Sequence, residues 1–275
     1  MELYQAIILG ILQGLTEFLP VSSSGHLVLG QIFFGITESQ LSFDISVHMG
    51  TLLAVLVVYF PDIIAILTSV FRYFAQLFSF KTASSMFKED ENLRMAAFII
   101  IGSVPTAIIG LVIKQFEAVL FSSQVLVGAM LIVTGTLLWL SRKYYVTDEK
   151  SSVFGIKQAV IIGITQGFAV IPGVSRSGST IAAGMFLGMN RHVAAKFSFL
   201  LSVPAILGAQ VLGVKDMIDA GTSIDMITIW ATLASFVVGL IALKTLLRLV
   251  HAGRFHLFAP YCWIIGTLVL LSKFM

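Results

Sequence analysis

Two short stretches carry side chains that could do chemistry. "TEFLPVSSSGHLV" (Thr16 to Val28) brings Glu17, Ser22, Ser23, Ser24 and His26 together around Pro20. "VIPGVSRSGSTIA" (170–182) holds Arg176 among Ser175, Ser177, Ser179 and Thr180, just after Pro172. The chemistry that suits this set is phosphoryl transfer. An arginine presents a planar, permanently charged fork to two phosphate oxygens. Turns flanked by Gly25 and Gly178 let backbone N–H groups approach the same oxygens, as anion-binding nests do. A serine hydroxyl or a water could attack in line while Glu17 or His26 takes its proton. A carboxylate beside a diphosphate would also suit Mg2+ or Ca2+, which prefer oxygen ligands. Zinc is disfavoured, because His26, His48, His192, His251 and His256 show no ligand spacing and Cys262 is the single cysteine.

These residues sit in lipid-embedded chain. Of 275 residues 57% are hydrophobic and 11% charged, with a mean hydropathy of +0.98, whereas a soluble domain carries about 25% charged residues. Six runs are long and apolar enough to cross a bilayer, at roughly 45–70, 94–113, 122–141, 193–214, 226–247 and 257–274. No soluble domain is left over, and Lys81 to Arg94 reads as a solvated cytoplasmic connection. The first residues lack the cationic start of a cleavable signal and are kept as structure. Cys262 lies in an apolar run and reads as packing.

Residues 3–36 and 156–189 fit none of the six. Each has two apolar arms too short to span, joined by Pro, Gly and hydroxyl residues, which suits a re-entrant helix–loop–helix. Irregular backbone at membrane depth survives only when buried in protein or lining a wet cavity, so the polar groups of both breaks face something. The simpler alternative is one kinked spanning helix at each place. The two segments resemble each other: Ala6, Gly10, Gln13, Gly14, Ser22, Ser24 and Gly25 recur as Ala159, Gly163, Gln166, Gly167, Ser175, Ser177 and Gly178, each 153 positions on. Further along, "IIGLVIK" resembles "VVGLIALK" and "GTLLWLS" resembles "GTLVLLS".

The chain therefore reads as one membrane domain, 1–275, built of two repeats, 1–145 and 153–275. The expected fold is all-α, each repeat having one re-entrant element and three spans. Three crossings invert the second repeat relative to the first, the arrangement of inverted-repeat membrane proteins. Lysines and arginines agree with this layout. Lys114, Lys215 and Lys273 are the only ones on one side and most of the rest lie on the other, which places both termini outside. That distribution accounts for the basic loops without nucleic acid. Arg176 belongs to neither side, being at membrane depth, where an ionisable residue implies a function and a partner. Glu17 is the natural partner, either within a catalytic site or as an ion pair locking two loops. "AILGAQVLGVKDM" offers small residues for internal packing, the preferred reading, or for a homodimer face. A site at membrane depth with no soluble domain favours a lipid substrate.

"QGLTEFLPVSSSGH" together with "PGVSRSGST" resembles the undecaprenyl-diphosphate phosphatases, the bacitracin-resistance family of bacterial plasma-membrane enzymes, over nearly the whole chain. The resemblance implies removal of one phosphate from a C55 polyprenyl diphosphate, dependence on Mg2+ or Ca2+, and a site opening to the outer face. It puts the family's glutamate motif on Gln13 and Glu17, with Glu17 as the working carboxylate and a metal ligand. The family histidine falls on His26, the nucleophile candidate on Ser23 and the motif arginine on Arg176. Gln13, Ser22, Ser24, Gly25, Ser175, Ser177, Gly178 and Thr180 are the expected substrate-binding residues. Broken helices in inverted repeats also suit a transporter that flips the polyprenyl phosphate, which stands as the alternative function.

Overall fold

A computed structural model describes residues 1–36, 41–76, 87, 89–144, 154–219, 221 and 224–272, whose regular elements are helices, without strands among the described residues. Among the described residues four helices are long and apolar enough to cross a membrane, or five if a bent pair of helices is one span: α5 (Glu91–Lys114), α7 (Gln124–Ser141), α10 (Arg191–Asp219) and α11 (Met226–His251). Pro105 and Pro204 lie inside α5 and α10 without ending either helix. A six-residue helix, α6 (Glu117–Ser122), precedes α7.

The expected span at 45–70 is interrupted. The chain forms α3 (Leu41–Val58) and α4 (Phe60–Ala75), bent by 73°. Pro61 supplies the reason: it has no N–H for Val57, and its ring clashes with the preceding turn unless a new helix starts there. The last expected span is likewise shorter than 257–274, being a 3-10 turn (Phe255–Phe258) leading into α12 (Ala259–Leu271), with residues 273–275 outside the described part. Most of the expected 81–94 connection is also outside it; its end is Asp90, whose carboxylate caps α5 through Asn92 N and Leu93 N.

The two broken segments form helix pairs as expected. α1 (Leu3–Phe18) is followed by α2 (Ser23–Phe33), and α8 (Ile156–Phe168) by α9 (Arg176–Phe186). In each pair the arms pack on one another. α1 ends because Leu19 precedes Pro20 and takes extended backbone (φ −60°, ψ 141°). Ser22 then caps α2, its Oγ accepting from Gly25 N, and Ser175 caps α9 in the same way through Gly178 N at 3.0 Å.

Packing between the arms and the long helices comes in matched pairs. α1 lies on α11 and α8 lies on α5. At the first crossing Gly10 meets Ala231 O, and at the second Gly163 meets Gly102 O, each so close that a Cβ would overlap the carbonyl. α7 and α12 pack on each other by the same exchange. A Cβ at Gly128 would stand 2.9 Å from Gly266 O, and one at Gly135 would stand 3.0 Å from Ala259 O. Such small-residue crossings let backbones approach where lipid provides no hydrophobic drive. The C-terminal half of α10 is packed through Gly213, against Ile45 of α3, while a Cβ at Gly208 would have no neighbour within 4 Å among the described residues.

Candidate active site

α1 buries Ala6, Leu9, Gly10, Gln13, Gly14 and Glu17 on one face. Gln13 and Glu17 are one turn apart and therefore stacked, and Gln13 Nε2 donates to Glu17 Oε2 at 3.1 Å. The end of α1 delivers Glu17 to the first break, and the start of α9 delivers Arg176 from the second. Their side chains meet, with Arg176 Nη2 donating to Glu17 Oε1 at 2.6 Å. Ser23, the first residue of α2, donates from Oγ to Glu17 Oε2 at 2.6 Å. Glu17 therefore accepts hydrogen bonds at both carboxylate oxygens. The side chains of Glu17 and Arg176 are 8% and 15% exposed. Arg176 Nη1 is buried without a hydrogen-bond partner among the described residues, as is Gln13 Oε1.

The breaks are stitched together by the residues around them. Ser22 Oγ accepts from Gly173 N of the second break at 3.1 Å. Ser22 holds a left-handed backbone (φ 70°), uncommon for a non-glycine residue and typical of functional sites. Ser177 Oγ donates to Phe18 O at 2.9 Å. Thr134 Oγ1 of α7 donates to Gly173 O at 3.0 Å and accepts from Ser175 N at 3.1 Å. Cys262 Sγ lies 3.4 Å from Pro20 O. These contacts satisfy backbone groups that a broken helix leaves unpaired.

The structure divides the sequence-derived set. It brings Gln13, Glu17, Ser23 and Arg176 into one hydrogen-bonded cluster. It commits Ser22, Ser175 and Ser177 to capping and break-to-break bonds, with Ser24 Oγ 3.4 Å from Ser22 Oγ. Gly25 and Gly178 serve close packing, since a Cβ at Gly178 would lie 3.1 Å from Pro20 Cβ. Thr180 points to α10, its hydroxyl donating to Arg176 O at 2.7 Å and lying 2.5 Å from Ser198 Oγ. His26 is turned toward α12: Nδ1 lies 2.8 Å from Ser22 O, a carbonyl that can only accept, and Nε2 lies 2.8 Å from the Tyr261 hydroxyl. No hydrogen bond joins His26 to Glu17, Ser23 or Arg176 among the described residues.

Two neighbours were not singled out from the sequence. His48 of α3 has Nε2 3.9 Å from Glu17 Oε2, and Tyr261 holds His26. His48 carried a usable signal, since it is an ionisable residue inside an expected span and the reasoning applied to Arg176 covers it equally. Tyr261, one aromatic in an apolar helix, carried none.

A cluster of carboxylate, serine and buried arginine where two helix N-termini meet is suited to a phosphate. The model of the family described as "Bacitracin resistance protein BacA" matches residues 6–268. The chain belongs to the BacA family. It is 55% identical to a protein of Desulforapulum autotrophicum over the full length of both, and 53% identical to one of Desulfosudis oleivorans over 98% of each. It is 40% identical to a protein of Methanobrevibacter smithii, covering 99% of this chain and 98% of the relative. All three relatives bear the name undecaprenyl-diphosphatase. The matched range includes both segments that build the cluster around Glu17.

Proposed function

We propose that this chain hydrolyses undecaprenyl diphosphate to undecaprenyl phosphate and phosphate, and that the Glu17–Ser23–Arg176 cluster is where it does so. Membership of the BacA family and relatives of that name along the whole chain carry the activity. The observation that carries the site is the pair of 2.6 Å bonds by which Ser23 and Arg176 converge on Glu17. The activity returns the lipid carrier for another round of cell-wall polymerisation and removes the diphosphate form that bacitracin binds.

In the proposed mechanism the polyprenyl tail stays among the apolar helices and the diphosphate enters between the breaks. Arg176, with its unpaired Nη1, binds the terminal phosphate, helped by the N-terminal turns of α2 and α9. Glu17 Oε2 takes the hydroxyl proton as Ser23 Oγ attacks phosphorus in line. The bond from phosphorus to the bridging oxygen breaks, polyprenyl phosphate leaves, and water then releases phosphate from Ser23. Direct attack by a water held on Glu17 is the alternative, and an acid-stable phosphoserine trapped at Ser23 distinguishes the two. An acid–base part for His26 requires Nε2 to give up Tyr261.

The donors present are compatible with Mg2+ or Ca2+. Glu17 and the unpaired Gln13 Oε1 are hard oxygen ligands, and no three His, Cys, Asp or Glu side chains gather as a metal site among the described residues. Gln13 and Glu17 would hold such an ion together with the diphosphate's own oxygens, as Mg2+ sites commonly do. Bound there, it would neutralise phosphate charge.

The finer architecture belongs to the same proposal: inverted repeats, both breaks re-entrant, both termini outside the bacterial plasma membrane and the site open to the outer face. The exchanged packing of α1 on α11 and α8 on α5 supports the repeats. Arg176→Ala should lower phosphate release in detergent micelles by about 100-fold or more. Glu17→Gln, which keeps the size and polarity, should do the same while remaining monodisperse. Near-normal turnover by either sinks the site. A Glu17→Gln protein that no longer folds would mark the pair as a structural lock.

A further inference from the structure

We infer that His48 is a positioning residue of the reaction, holding the Glu17 carboxylate in register with Ser23. This rests on the reading of Glu17 as the site carboxylate. Arg176 governs Oε1, so the reacting oxygen, Oε2, has to be aligned by other groups. Ser23 Oγ and Gln13 Nε2 bond to it, and His48 Nε2 faces it at 3.9 Å. At that separation the contact is too long for a direct hydrogen bond but close enough to restrict where the carboxylate and anything bound to it can go. The His48 side chain is 30% exposed against 8% for Glu17, so His48 is the more accessible of the two.

The ring is built to stay in place. Its Nδ1 donates to Asp44 O at 2.7 Å, which leaves Nε2 as the nitrogen turned to Glu17. The Asp44 side chain in turn accepts from Gln31 Nε2 at 2.9 Å, tying the first turn of α3 to α2, the helix that begins with Ser23. α11 provides a common reference for the two partners. A Cβ at Gly14, one turn before Glu17, would lie 2.5 Å from Ser235 O. On the other flank Ser235 Oγ donates to Val47 O at 2.8 Å, next to His48, and a Cβ at Gly50 would lie 2.5 Å from Thr232 O. α1 and α3 therefore take their heights from the same turn of α11. That shared seat sets the distance at which His48 Nε2 stands against Glu17 Oε2. Displacing a positioned group by about 1 Å can cost 100-fold in rate.

The test uses purified full-length protein in micelles with farnesyl diphosphate or the C55 diphosphate as substrate. His48→Ala should lower kcat about 10- to 100-fold with a smaller change in KM. His48→Gln, which keeps an amide near the Nε2 position, should restore most of kcat and leave the pH profile where the parent has it. Ser235→Ala, which touches neither substrate nor Glu17, should lower kcat several-fold by freeing Val47. Parent-like turnover of His48→Ala overturns the inference. So does a His48→Gln protein as slow as His48→Ala, because the imidazole would then be needed for itself. If His48→Ala does not fold, the Gln and Ser235 variants decide. Glu17→Gln run in parallel separates the failures: an active Glu17→Gln sinks the site, whereas an inactive one beside an active His48→Ala sinks only this inference.

Discussion

At the residue scale the site is a contest for one carboxylate. Glu17 accepts from Arg176, Ser23 and Gln13, so its charge is compensated by a buried cation and by hydrogen bonds. A buried pair whose partner is deleted leaves an uncompensated charge, at a cost of about 3–5 kcal/mol. Either variant leaves the other charge unpaired; Glu17→Gln is the milder probe because it keeps the side-chain volume and an oxygen that can accept from Arg176, whereas Arg176→Ala removes both donor and volume. Ser23→Ala should abolish phosphoserine trapping and lower turnover by about 100-fold or more if the serine is the nucleophile. A Ser23→Ala protein with near-parent turnover would give the attack to water. His26 and Tyr261 form a separate unit. His26→Ala and Tyr261→Phe should each lower stability in micelles by about 1 kcal/mol through their shared bond. Their double variant should lose less than the sum, with a coupling of about 1 kcal/mol in the cycle. Additive losses would show that the bond carries no stability.

At the element scale, glycine crossings position the broken arms. α8 reaches α5 because Gly163 admits Gly102 O, and α1 reaches α11 because Gly10 and Gly14 admit Ala231 O and Ser235 O. Gly163→Ala should force the helices apart and lower thermal stability in detergent by about 1–3 kcal/mol. Gly208→Ala, where nothing stands near the new methyl, should be neutral or slightly stabilising through helix propensity. Equal effects at the two positions would contradict the packing argument. The bend at Tyr59 belongs to this scale too. It turns α4 off the axis of α3, where Asp62 pairs with Lys196 Nζ of α10 at 2.5 Å.

At the scale of the whole molecule, the two breaks meet although they lie far apart in the chain. Each contributes what the other lacks: the carboxylate from the first, the arginine from the second. The proposed inverted layout predicts that a Glu2→Cys variant labels with an impermeant maleimide on intact cells and that Lys157→Cys does not. Cys262 is buried and should give little background. Labelling of both positions from outside would refute the inversion.

Much of this was legible in the residues themselves. Low charge and long apolar runs determine a helical membrane protein, since only such helices satisfy their own backbone in lipid. Pro20 and Pro172, each followed by small and hydroxyl residues, determine where the arms break. Gln13 and Glu17 stack because they are four apart on one helix. Arg176, the Gly-flanked serine turns and the nearby Glu17 and His26 point to phosphate chemistry by residue type alone, and the family resemblance singles out Ser23. Tertiary structure alone decided that His48 faces Glu17, that His26 is turned to Tyr261, and that Ser177 and Thr180 are spent on packing. The physical reason is that helical period sets which residues share a face, whereas the side chains facing that face depend on neighbours from distant parts of the chain. The height of α3 against α1 is set on α11, at Ser235, nearly two hundred residues from His48.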